Sequence, residues 1–398
     1  MLSMKRVGLT GAAAVLSLLS VSLGAPTANA ATYSDQSASI VVWPKIAAQT
    51  DVEDTQITLS STNPSGPVAA HCVYVNANSH CNNTGDVCTT SSSCFDSSTG
   101  LLGSCVPGWV EFDFDVVLTA NQPLAWSALE GLGGAGSGSD RSLANGHLPC
   151  PGLPFRADCP MAIGSNAGTR VPPVSESPFV GELKCIQSDP ITRRPAVCGG
   201  ANEPCQDYLV GTATIQRLED GHLSAAEYNG VGLKSAGAND GDGFLNIGGD
   251  DAEYEPCAEV LIFNHLFDGA TDPISDEAGA TTELTLVPCS EDFLTQTMPP
   301  VTAQFLVYNE FEQRFSTSRP VPCLLDSQIS LIDTSQPDRS IFSAGVAGTV
   351  SGQTRIRGVG GGLLGAAVLN LEDLARGSSA YNLDGFAERS AGDLIRIP

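Results

Sequence analysis

Along most of the chain, apolar stretches of four to eight residues, rich in Val, Ile, Thr and Phe, are separated by clusters of Gly, Pro, Asn, Asp and Ser. Within these stretches apolar and polar side chains alternate with a period of two, which puts every second side chain on one face of a β-strand. No segment carries the i, i+3, i+4 spacing of a long amphipathic helix. The pattern predicts an all-β protein whose strands bury one face against another sheet.

The alternating segments recur in order. Ile40–Ile46 matches Val260–Leu266, Thr55–Leu59 matches Thr282–Leu286, and Pro67–Asn76 matches Pro300–Asn309 without a gap. Asp113–Asp115 matches Glu310–Glu312, in a register extending to Pro123 and Pro320. Val210–Ile215 then matches Leu364–Leu369, and Tyr228-Asn229 matches Tyr381-Asn382. The recurrence predicts a duplicated unit: residues 31–251 and 257–398, with 252–256 ending an acidic linker. Six or seven strands per unit suit two tandem Ig-like antiparallel β-sandwiches. The first unit is longer because of loop insertions near residues 77–112, 131–177 and 189–206.

Composition adds a compartment. Lys5 and Arg6, the apolar run from Val7 to Gly24, and Ala28 and Ala30 read as a signal peptide over residues 1–30, cut after Ala30. Thirteen Cys without one C-x-x-C pair predict a disulfide-bonded, secreted chain, at the cell surface, in the periplasm or outside the cell. The first insertion holds Cys81, Cys88, Cys94 and Cys105, enough for two local bridges. Cys150 with Cys159, and Cys198 with Cys205, are the simplest local pairs. Cys72 and Cys185 lie in strand patterns and are expected to bridge within the first unit; Cys289 is expected to pair with Cys323, leaving Cys257 odd. Beyond residue 30, 44 acids against 17 bases leave a charge of −27, which repels nucleic acid. After the signal, the nearest approach to a membrane span is Gly358 to Leu371, too short and too rich in glycine.

Candidate chemistry is sparse. Asp240, Asp242, Asp250 and Asp251 concentrate hard oxygen ligands of the kind calcium takes, although an EF-hand register would put Ala238 and Gly249 at its anchoring positions. No other cofactor is implied. Glu111, Asp113 and Asp115 share one face of a strand, a geometry open to a glycosidase-like carboxylate pair or to a solvated sheet face. Gly360–Gly365 fits G-x-G-x-x-G, but a strand rather than a helix is expected after it, so a glycine-rich hairpin is the better reading. Nucleophile-elbow, zincin, P-loop and haem motifs are missing. Trp109 and Trp126 are the residues to test for stacking on sugar.

The stretches Asp54–Leu59, Ala70–Asn76, Gly181–Ile186 and Tyr308–Phe315 resemble a group of uncharacterised exported bacterial proteins. That resemblance implies secretion and a β-rich fold, and no activity. The sequence favours a non-catalytic structural or adhesion-type protein that meets an extracellular protein or glycan. A carbohydrate- or calcium-binding module is the second reading, and a secreted hydrolase with a carboxylate pair the third.

Overall fold

The computed structural model describes residues 36–132, 171–191, 194–195, 206–219, 221–238, 240–271, 278–297, 299–333, 339–371 and 377–397. The signal segment, most of the second insertion, and Cys150, Cys159, Cys198 and Cys205 lie outside the described residues.

In the first half the strands are β1 (Ile40–Ala48), β2 (Glu53–Ser61), β3 (Val68–Asn76), β4 (His80–Cys81), β5 (Phe95–Asp96), β6 (Leu101–Leu102), β7 (Cys105–Val106), β8 (Val110–Leu118), β9 (Pro123–Ser127), β10 (Phe179–Ser188), β11 (Leu209–Glu219), β12 (His222–Asn229), β13 (Val231–Leu233) and β14 (Phe244–Ile247). In the second they are β15 (Ala258–Leu266), β16 (Ala270–Thr271), β17 (Ala278–Pro288), β18 (Glu291–Asp292), β19 (Val301–Asn309), β20 (Arg314–Val321), β21 (Leu325–Gln328), β22 (Ser351–Val359), β23 (Leu363–Leu371), β24 (Ser378–Asn382), β25 (Asp384–Glu388) and β26 (Asp393–Arg396). Nearly all the structure is β, as the alternation requires.

The expected pair of tandem Ig-like sandwiches is not what forms. The larger sheets number five, of three to five strands each, set out as small blades in a five-bladed, propeller-like arrangement. The physical reason lies in β1, whose nine residues are all buried, and in β3 and β10, which are nearly so. An Ig-like sheet leaves one face to water; these central strands are covered on both faces, as continuous apolar runs require. The second cover is a three-stranded sheet, β14-β26-β18, which takes β14 from the first half and β18 and β26 from the second and includes a parallel pair. Ile40, Val42, Val73, Val75 and Ile186 pack there against Leu245, Ile247 and Ile395.

The two halves therefore share apolar cores. Ala366 and Val368 of β23 join the cluster built on Trp43, Tyr74 and Trp126. Residues 252–256 are no free connector: Tyr254 is fully buried and bridges to both Ser235 and Ile247.

Strand order corresponds between the halves. The five-stranded sheet that holds β1 runs β13-β1-β10-β3-β8, and the one that holds β15 runs β25-β15-β22-β19-β20. In the adjoining sheets, Leu59 faces Gly211 and Ala213 faces Tyr228, while Leu286 faces Gly365 and Ala367 faces Tyr381. The Asp113–Glu310 match does not keep this register. Asp113 lies within β8 opposite Val73, whereas residues 310–313 form the turn between β19 and β20, with Glu312 at a φ of 60°.

Candidate functional site

Strands β15, β19, β20 and β22 alternate over most of their length. Their inward side chains, Leu261, Phe263, Phe305, Val307 and Ile356 among them, build the core of the second half. The opposite set faces outward. Pairing puts Gln304 beside Ser318 and Arg357, and Leu306 beside Ser316 and Arg355. Together with Val260 these side chains line a shallow concavity of about 910 Å³. Arg357 pairs with Glu259 at 2.5 Å, and the Arg355 guanidinium lies 5.6 Å from the centre of the Tyr308 ring. Phe386 of β25, paired with Val260, extends the surface and is 54% exposed.

The corresponding face of the first half is the one sealed by β14, β18 and β26. Among the described residues no sheet covers that of the second half, and the surface combines two guanidinium groups with hydroxyl, amide and apolar neighbours. Guanidinium binds carboxylate or sulfate through two parallel hydrogen bonds, and apolar side chains accept the C–H face of a sugar ring.

No protein family and no curated protein matches the chain.

The residues singled out in the sequence sit elsewhere. Asp113 and Asp115 project from the edge strand β8 and are 60% and 48% exposed. Both lean on His71 of β3: Nδ1 lies 3.1 Å from Asp115 Oδ1, and Nε2 3.9 Å from Asp113 Oδ2. The hydrogen bond to Asp115 holds His71 above its ordinary pKa, against the opposing effect of burial. The arrangement is a histidine–carboxylate ion cluster rather than two free carboxylates. Glu310 and Glu312, in their turn, offer no second copy of it.

The proposed calcium ligands do not converge. Asp240 and Asp242 each accept a backbone N–H two residues ahead, as turn-forming Asp does, and Asp250 and Asp251 occupy an exposed turn. Among the described residues, no three of these carboxylates come within 4.8 Å of one another. The two groupings that do are Cys81 with Cys88 and Cys94, and Cys257 with Cys289 and Asp393. Every sulfur in them is in a disulfide and so supplies no thiolate. The expected sugar-stacking tryptophans are also packed away. Trp126 is fully buried and donates to the Tyr74 hydroxyl at 2.7 Å, and Trp109 stacks on Phe293.

Four disulfides stand among the described residues. Cys72 joins Cys185, Cys81 joins Cys94, and Cys88 joins Cys105. The expected Cys289–Cys323 bridge is corrected: Cys289 joins Cys257, and Cys323 is the free, buried one. The correct pair meets beside Gly362, where an added Cβ would lie 2.9 Å from Cys257 Cβ and 3.1 Å from Cys289 Sγ. Glycine makes room for that bridge, a constraint that Cys spacing does not carry. Gly360, at a φ of 98°, turns β22 into β23, so the glycine-rich segment is a hairpin. No helix among the described residues is long and apolar enough to cross a membrane.

Sequence reasoning missed the buried charges. Lys45 reaches Asp326 at 2.7 Å and Glu283 at 3.2 Å, while Arg217 grips both oxygens of Glu283 and also Glu53. Lys45, Glu53 and Arg217 come from the first half, and Glu283 and Asp326 from the second. A second cluster joins Lys184 to Glu182 and Glu291, again across the halves. The available signal was Lys45 and Lys184, two of only four lysines, each placed inside a strand pattern.

Proposed function

We propose that the protein is a non-catalytic binding protein of the cell exterior that holds an acidic glycan, bearing carboxylate or sulfate, on the open face of β15, β19, β20 and β22. The observation that carries this reading is the placing of Arg355 beside Leu306 and Arg357 beside Gln304 on a sheet face that no described sheet covers, in a chain of net charge −25. Cations are scarce in this sequence, and two on one shallow surface favour an anionic ligand. Secretion behind a cleaved leader fits the disulfides, and the matching strand orders support descent of the two halves from one duplicated unit, with the second face freed for binding.

A glycan array with the full chain tests the reading. Uronate- or sulfate-bearing saccharides are expected to bind and neutral ones not to, with no turnover of either. A charge-assisted hydrogen bond contributes about 1.5–3 kcal/mol, so Arg355→Ala with Arg357→Ala should weaken binding at least about tenfold. Binding unaffected by the double substitution, or confined to neutral sugars, would refute it.

A further inference from the structure

Lys184, Glu182 and Glu291 form a sealed cluster with side chains 1%, 2% and 0% exposed. Lys184 and Glu182 project from the same face of β10, and Glu291 begins β18. Lys184 is flanked by Val42 on β1 and Val73 on β3, and Glu182 by Val75. Its Nζ lies 2.7 Å from Glu182 Oε2 and 2.6 Å from Glu291 Oε2. The amine thus spans both carboxyl groups, which lie close enough to each other to interact directly. Two carboxyl groups on one amine in an apolar core are one more than charge balance needs, and simple ion pairing leaves the second unexplained.

We propose that Lys184 and Glu291 are the reactants of an intramolecular isopeptide bond, with Glu182 moving the protons. Nζ first gives a proton to the Glu182 carboxylate. The neutral amine then attacks Cδ of the protonated Glu291 carboxyl, forming the C–N bond. Glu182 delivers its proton to the departing hydroxyl, which leaves as water, and takes the second proton from nitrogen. The products are one amide, one water and a neutral Glu182; four protons are shared among the groups before and after, and nothing is oxidised or reduced.

The site supplies what this step needs. Burial, then the charge of Glu182, hold Glu291 well above the usual carboxylate range, so it is the protonated electrophile. The two carboxyl groups keep Lys184 protonated against burial, which is why the proton must pass to Glu182 before attack. Away from water, a neutral amine and acid lie closer in energy to the ion pair than they do in solution. Reactants held at contact distance react with effective molarities of about 10⁵–10⁸ M. The amide would replace a buried ion pair with a neutral group and lock β10 of the first half to β18 of the second.

The test is peptide mapping of the reduced, denatured full chain. Trypsin cannot cut after an acylated lysine. The expected product is the 171–193 peptide, uncut at Lys184, joined to the 235–314 peptide and lighter than their sum by one water. Free 171–184 and 185–193 peptides from the folded wild-type protein, with no linked product, overturn the proposal. Glu182→Gln should fold and give only unlinked peptides. A linked product from that variant in wild-type yield overturns the role given to Glu182.

Discussion

Glu283→Gln isolates the ion cluster that ties the halves together. Burial alone would raise the Glu283 carboxyl, but the Arg217 hydrogen bonds and the charges of Lys45 and Arg217 outweigh it and hold it at about 2. The side chain is only 23% exposed, so screening by water is limited. A carboxyl that titrates at about 2 when folded and 4.5 when unfolded contributes about 3 kcal/mol once both states are ionised. Because the folded value is the lower one, this contribution is complete above 4.5 and disappears as pH falls towards about 2. The substitution also leaves Lys45 with Asp326 and Arg217 with Glu53, so neither cation is stranded. Urea unfolding followed by tryptophan fluorescence should therefore show Glu283→Gln about 3 kcal/mol less stable near neutral pH. The gap should narrow to under about 1 kcal/mol near pH 2. A gap below about 1 kcal/mol at neutral pH, or one unchanged on acidification, would refute the argument.

The Cys72–Cys185 bridge closes a separation of 113 residues, so replacing both Cys with Ala should cost about 4 kcal/mol, measured as a lower urea midpoint. Tyr74→Phe removes the acceptor of the buried Trp126 N–H and should cost about 1–3 kcal/mol in the same assay. The His71 ring should titrate above 6.5 by NMR, and Asp115→Asn should bring it down. Because the folded value is raised, the stability this pairing contributes is present below 6.5 and lost as pH rises through the folded value.

Strand formation was legible because alternation is local: β2, β19 and β22 show in their burial the period that their sequences carry. The covering of β1 was legible only in principle. Its run of Ile, Val, Val, Trp and Pro does not alternate, and a strand buried on both faces reads that way. What covers it, β26, lies at the other end of the chain, and no local pattern points there. The same distance hid the ion clusters, in which Glu291 and Glu283 look like ordinary surface acids until β10, β11 and β1 are brought against them. The face proposed for binding was missed because outward Arg on a strand has no signature of its own; only its open neighbourhood distinguishes it.

The small mixed sheet also sets an order of events. β14 gains its antiparallel neighbour only once β26 has been made, and β26 in turn receives β18. A chain lengthening from its N-terminus would carry the Ile40, Val42 and Val73 surface incompletely covered until β26 had been made. Such a chain gains from being kept extended until β26 has followed. Deleting β26 would then uncover apolar side chains of β1 and β3, in the other half of the chain.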